Sequence, residues 1–382
     1  MTDVGRATKF RLLNLTLVDA GPLRGITDIS LRDASGTSAN LFLVMGPNGA
    51  GKTTMLDAIH AAMALLSGRS HSTTGIEYVD NGEGGFQLDA LVQLDDGQRS
   101  FLRVISIVVG QQGLLKSWKK SELDALDEAG VEQQIMLAFG QRSPSLPVEP
   151  LSSSHPEALS FFEGIQERLG EPPVSLFGTS MTLPTVLYFP SDRGIRRPPV
   201  GGRNIARPEM LGYAPARRFD ADGATWADSI ENLLVWFTWL DDRRAEVCRE
   251  LVKSLVFNGM KSLGAVDRHN LSVPVQTDTG SHRLDQLSSG ERQLVQLIVR
   301  VASHMTTSTI VLIDETEQHL HTVMRRRLIN LLKDWARQHE GLSFIMTSHQ
   351  TDSMRMLAPT RNEPGLFKSG CLVKPRFVPP YG

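Results

Sequence analysis

Apolar residues alternate with polar ones through "FRLLNLTLVDA" near the start of the chain and again through "GITDISL". A period of two predicts antiparallel strands with one face covered. "LFLVM" (41–45) breaks that rhythm with five apolar residues in a row, the pattern of a strand buried on both faces. A helix is predicted next, with Met55, Ile59, Ala62, Met63 and Leu66 along one side. "GFQLDALVQLDDG" and "RSFLRVISIVVG" read as strands joined at an Asp-Gly turn. Residues 111–180 carry helical fragments, "SELDALDEAGVEQQIMLAF" and "PEALSFFEGIQERL", around the Pro/Ser-rich "SPSLPVEPLSSSHP". They hold no sustained heptads, so no long coiled-coil arm is expected.

The rest of the chain alternates buried strands with helices. "PTVLYFP" reads as a buried strand, and an arginine-rich loop follows it. "WADSIENLLVWFTWLDDRRAEVCRELVKSLV" is strongly helical. A second helix has Leu294, Leu297, Ile298 and Val301 at helical spacing. "STIVLIDE", a helix from about His321 to His339, and "LSFIMTSH" close the series. Strands with helices between them predict an α/β fold. No internal repeat is present.

Composition narrows the class without naming it. Apolar residues are 41% and charged residues 21% of 382, enough for a substantial core. The net charge of −2 gives no global attraction to nucleic acid or membrane, so such contact would need a local patch. Cys248 and Cys371 form no disulfide framework or zinc pattern. The start, MTDVGRATKF, has no signal-peptide core, and no apolar run approaches the roughly 18 residues of a membrane helix. A soluble cytoplasmic protein without membrane insertion is expected.

Four segments carry chemistry. "GPNGAGKTT" (46–54) lies between a buried strand and an amphipathic helix, the setting of a phosphate-binding loop. Its glycines let backbone N–H groups curl around phosphates, and Lys52 reaches the outer ones. Asn48, Gly49, Gly51, Lys52, Thr53 and Thr54 are the expected nucleotide contacts, with the Thr53 hydroxyl on Mg²⁺. "TIVLIDE" ends a buried strand in Asp314, expected to hold the metal, and Glu315, expected to orient or deprotonate the attacking water. His349 closes "LSFIMTSH" and can sense the γ-phosphate, although a strand-end histidine is more often a satisfied structural residue.

"LSSGERQ" (287–293) begins a helix. Ser288 and Glu291, three apart, form a capping box; Ser289 and Gly290 are not needed for it. Small residues at a helix N-terminus also leave N–H groups open to an anion. The loop after the "VLYFP" strand holds Arg193, Arg196, Arg197, Arg203, Arg207, Arg217 and Arg218 against Asp192 and Glu209. It reads as a nucleic-acid or partner patch, above all at Arg193, Arg196 and Arg197, or as a solvated loop with some arginines paired internally. "MRRRL" (324–328) reads as a solvated helical face.

In this order, "GPNGAGKTT", "LSSGERQ", "IVLIDE" and "TSH" resemble the Walker A, signature, Walker B and switch-histidine elements of ABC-type ATPases. "DETEQHLH" looks like the DEPExHLHP pattern of the soluble RecF, OLD and SMC-like branch rather than the DEPTSALD of transporter cassettes. The resemblance implies a P-loop head with an antiparallel N-terminal β-subdomain and a helical lobe inserted before the signature. The expected division is 1–110 (Walker A part), 111–180 (variable insertion), 181–300 (helical and signature lobe) and 301–382 (Walker B and switch histidine).

It further implies ATP and Mg²⁺ as cofactors and a homodimer. In that dimer Ser288, Ser289, Gly290 and Glu291 of one copy face the nucleotide of the other. The branch works often in DNA repair or phage defence, so an effector such as a separate nuclease subunit, and DNA, are the candidate partners. The alternatives are a transporter cassette and a scaffold that hardly hydrolyses ATP. Thr316 and Thr322 stand where the family has proline, which predicts a less rigid loop after Glu315. His319 and His321 match the pattern, but no third metal ligand accompanies them. Gln111 and Gln112 are the candidates for the family's glutamine loop.

Overall fold

The computed structural model describes residues 6–68, 84–95, 99–110, 113–126, 130–140, 148–172, 176–177, 181–318, 320–350, 352–353, 357 and 363–374. Strands β1 (Arg6–Ala20) and β2 (Leu23–Ser30) form a hairpin, and β3 (Leu41–Met45) leads through the glycine-rich loop into α1 (Lys52–Leu65). Then follow β4 (Gly85–Asp95), β5 (Ser100–Val109), α2 (Lys120–Asp124), β6 (Val131–Gly140), β7 (Glu149–Pro150) and α3 (Pro156–Glu167). β8 (Pro184–Phe189) and β9 (Ala216–Arg218) precede α4 (Ile230–Leu240), α5 (Arg244–Leu251) and a π-helical turn at Val252–Val256. A small antiparallel sheet of β10 (Ser262–Leu263), β11 (Pro274–Thr277) and β12 (Gly280–Arg283) leads to α6 (Ser289–His304). β13 (Ser308–Ile313), α7 (Thr322–Gln338), β14 (Leu342–Ser348) and β15 (Lys368–Leu372) complete the order.

Two six-stranded sheets organise these elements. One, ordered β2-β1-β4-β5-β6-β7, is antiparallel except between β5 and β6. The other, ordered β15-β3-β14-β13-β8-β9, is parallel throughout. α1 packs against both sheets, so it is buried on nearly every side and not only along the predicted stripe. The continuous apolar runs have a physical reason. Phe42, Val44, Tyr188, Ile310, Leu312 and Ile345 face the core shared with the antiparallel sheet. Their neighbours Leu41, Leu43, Leu187, Phe189, Val311, Ile313, Phe344 and Met346 face a second core built with α4, α5, α6 and α7. Each such side chain removes roughly 1.5–3 kcal/mol of apolar exposure from water, so a polar residue on either face is costly.

Two sequence expectations give way. "VEQQIMLAF" is not helical: it is β6, parallel to β5, with Ile135, Leu137 and Phe139 pointing into the first core. Period-two alternation of those three outweighs the helix propensity around them. Residues from the expected insertion, β6 and α3, thus contribute to the main core through Phe161 and Ile165 as well. The long helix after Trp226 breaks between α4 and α5, where Asp241 and Arg243 adopt left-handed backbone (φ 52° and 71°). The Asp-Gly turn after β4 lies outside the described residues. Among the described residues no helix is long and apolar enough to cross a membrane.

Candidate functional site

The parallel register brings the chemistry together. Met45 pairs with Ser348, Met346 with Ile313, and Ile313 with Phe189, so these strands end at one edge of the sheet. Gly46, His349, Asp314 and Pro190 leave from that edge, the side where open α/β sheets bind ligands. Asn48 and Gly49 stand exposed at the crest of the loop. Gly49 and Gly51 take φ of 76° and 95°, which a residue with a Cβ adopts only under strain. A Cβ on Gly51 would also lie 2.7 Å from the Leu23 side chain. Lys52 is buried, and its Nζ donates to Gly46 O and Pro47 O, both at 2.9 Å. Thr53 is exposed, whereas Thr54 is buried behind it.

The acidic half of the site meets the loop directly. Thr53 Oγ1 donates to Asp314 Oδ2 at 2.8 Å, and Thr347 Oγ1 donates to the other carboxylate oxygen. Glu315 has φ of 46°, costing roughly 1 kcal/mol or more for a non-glycine residue. Its N–H donates to Thr347 Oγ1 at 2.8 Å, and the N–H of Thr316 donates to Thr347 O at 3.1 Å. A proline has no such N–H. Thr316, fully buried, ties the turn to β14 through this N–H.

Glu317, not singled out in the sequence, stands against His349. It is 5% exposed, and its Oε1 accepts from His349 N at 2.7 Å, while His349 Nδ1 lies 2.8 Å from the same oxygen. It fixes both the backbone and the ring of His349. The second glutamate of "DETE", which the DEPExHLHP pattern also carries, was its signal. Asp57 lies one turn after Thr53. Burial raises its carboxyl above the ordinary range against the opposing Arg218 guanidinium, 3.3 Å away.

The signature lies elsewhere. Ser288 caps α6, its Oγ accepting from Glu291 N at 3.3 Å, and Glu291 Oε2 accepts from Ser288 N at 3.1 Å. Burial alone would raise the Glu291 carboxyl; hydrogen bonds from Lys261 and Ser288 outweigh it and hold the group below its usual range. Gly290 is buried, and Ser288 and Ser289 are exposed. The partners of Glu291 and Arg292 are Lys261 and Ile195 O, not the P-loop. Of the expected arginine patch, Arg196 and Arg197 are exposed, with Arg196 paired to Asp192 at 2.9 Å. Arg193 is 2% exposed and cannot belong to a surface patch. Burial lowers its pKa to about 10 although Asp314, Glu315 and Glu317 oppose the shift. In "MRRRL", Arg325 is likewise buried and donates to Gln350 Oε1, so that stretch is not a wholly solvated face. Gln111, Gln112 and His319 lie outside the described residues. His321 caps α7.

Thr53 and Asp314 suit Mg²⁺, which takes oxygen ligands and fills its shell with phosphate and water oxygens. Among the described residues no three His, Cys, Asp or Glu side chains gather to hold a metal on their own. The sequence profile of the RecF/RecN/SMC N-terminal domain matches residues 32–362. The chain belongs to that family. It is an ABC-type P-loop ATPase of the RecF/SMC-like branch. No curated protein matches the sequence. Among solved structures, it is similar to the recombination mediator protein RecF-ATPrS in the RecFOR pathway, at 12% identity and a TM-score of 0.39, covering 98% of this chain and 100% of that one. It is also similar to a dimeric bacterial ABC transporter cassette, at 12% identity and a TM-score of 0.34, covering 96% and 94%.

Proposed function

We propose that this RecF/SMC-type chain binds ATP with Mg²⁺ at its P-loop and hydrolyses it in a dimer. In the dimer each nucleotide is closed in by the signature of the second copy. The observation that supports the reading is the division of parts: Lys52, Thr53, Asp314, Glu315 and His349 gather at one sheet edge, whereas Ser289 is exposed at the start of α6, whose Glu291 pairs with Lys261 and not with the P-loop. Thr53 and Asp314 would hold the metal, which when bound neutralises phosphate charge. Lys52 turns from the loop carbonyls to the outer phosphates, and backbone N–H groups of the glycine-rich loop face them. Glu315 takes the proton of the attacking water, and His349, held by Glu317, donates toward the terminal phosphate.

The cycle is that of a soluble, cytoplasmic switch: closure on ATP, reopening on hydrolysis. Its output is an effector such as a separate nuclease subunit, with DNA repair or phage defence as the setting. Exposed Arg196 and Arg197 are the residues available to DNA or that partner. The tied turn at Thr316 supports hydrolysis over a passive scaffold, and membership of the RecF/RecN/SMC family supports a soluble switch over a transporter cassette. The test is Glu315→Gln. Turnover is expected to fall at least ~100-fold, with an ATP-bound dimer accumulating in size-exclusion chromatography. A variant that still hydrolyses ATP, or stays monomeric with ATP bound, refutes the proposal.

A further inference from the structure

Burying a guanidinium is costly unless its donors are satisfied. Arg193, 2% exposed, spends its donors on backbone. Nη1 donates to Pro190 O at 2.9 Å and to Asp314 O at 2.5 Å, and Nη2 donates to Glu315 O at 3.1 Å. Asp314 and Glu315 supply successive peptide carbonyls, so one planar fork fixes the orientation of both peptide groups. Thr347 holds the N–H side of the same turn through Glu315 and Thr316. The left-handed backbone of Glu315 is therefore clamped from two sides, and its side-chain direction follows from that clamp.

Two residues on, the same segment grips the signature helix. Ile195, 1% exposed, accepts at its carbonyl from Arg292 Nη1 at 2.9 Å, in the first turns of α6. Arg196 N donates to Asp222 O at 2.9 Å, and Asp222 N donates to Gly194 O at 2.8 Å. The Asp222 carboxylate accepts from Arg300 Nη2 at 2.8 Å, farther along α6, in an ion pair whose side chains are 3% and 2% exposed. One short stretch, buried at Pro190, Arg193 and Ile195, thus touches the Walker B turn at one end and α6, directly and through Asp222, at the other.

We propose that Arg193 is a positioning residue that holds Glu315 in its left-handed turn, and that the 190–196 segment passes movement of the signature helix to that turn. Each P-loop half-site then feels whether its own protomer's signature has closed on the partner copy. This rests on Glu315 being the residue that activates water.

The experiment measures steady-state ATP hydrolysis and thermal melting of the full chain. Arg193→Lys keeps the charge but cannot fork to two carbonyls. Its kcat is expected to fall about 30- to 100-fold with KM within about threefold, because the P-loop contacts remain. Arg292→Gln is expected to lower kcat about 5- to 10-fold, and the double variant to be no worse than Arg193→Lys alone, as two breaks in one linkage give. An Arg193→Lys kcat within about threefold of the parent, or a KM that rises as kcat falls, overturns the positioning role. Additive losses in the double variant overturn the link to α6. Should Arg193→Lys lose its cooperative melt, an unchanged kcat in Arg292→Gln overturns the proposal and a 5- to 10-fold loss supports it. Glu315→Gln separates the two levels. If it retains turnover, the assignment beneath the proposal fails; if it is inactive while Arg193→Lys is unaffected, only the present inference does.

Discussion

At the residue scale, the site depends on a few side chains acting on backbone. Glu315 sits in a conformation that costs energy, and three residues repay that cost: Arg193 on its carbonyl, Thr347 on its N–H, and Thr316 on the next peptide. Introducing the family's proline as Thr316→Pro removes the N–H donated to Thr347 O and leaves that carbonyl short of a partner. Unfolding free energy in urea should drop by about 1–2 kcal/mol, with slower turnover. Equal stability and equal turnover would mean that the hydrogen bond does not hold the turn. Lys52, Thr53, Asp314 and Glu315 were legible in the sequence because each belongs to a contiguous motif whose backbone path is set locally. Glu317 and Arg193 were not. Glu317 acts on a residue 32 positions away, and Arg193 on carbonyls 121 and 122 positions away.

At the element scale, edges and breaks matter most. β15 is an edge strand, and Glu363 staples it to α7 by accepting from Lys368 at 2.5 Å, Lys333 at 3.2 Å and Arg337 at 2.5 Å. The hydrogen bond from Lys368, then those of its neighbours, lowers the Glu363 pKa to about 2 from 4.5. A depressed carboxyl contributes stability above its unfolded pKa and loses it as pH falls toward the folded one. Glu363→Gln should therefore be less stable than the parent at neutral pH, with the difference narrowing below about pH 4.5. Denaturant midpoints across that range check this, and a constant difference down to about pH 3 would contradict it. α6 and α7 were readable from period and capping residues. β6 was not, because its alternation is short and surrounded by residues that favour helix; its place beside β5 comes from packing on the first core. The break between α4 and α5 depends on Asp241 and Arg243 accepting left-handed backbone, which no local pattern signals.

At the scale of the whole molecule, two cores share one parallel sheet, and the proposed function needs the P-loop edge of one copy to meet the signature helix of another. Lys52→Ala disables the P-loop half, and Ser289→Arg places a bulky charge on the exposed signature half. Each variant alone should be inactive while folded. Mixed, they should regain ATP turnover, because a mixed dimer joins one intact P-loop to one intact signature. A mixture as inactive as its components would show that the halves do not complete each other across copies. The order of the four motifs and the buried strands that present them were fixed by the chain's own pattern of residues, since strand period, glycine freedom and helix capping are local physics. Tertiary structure alone decided that Arg193 is an interior clamp and not a surface contact. It also decided that Glu317 steers His349 and that β6 joins the sheet. Each of these depends on contacts between residues far apart in sequence, whose partners exist only once the two sheets have closed over α1.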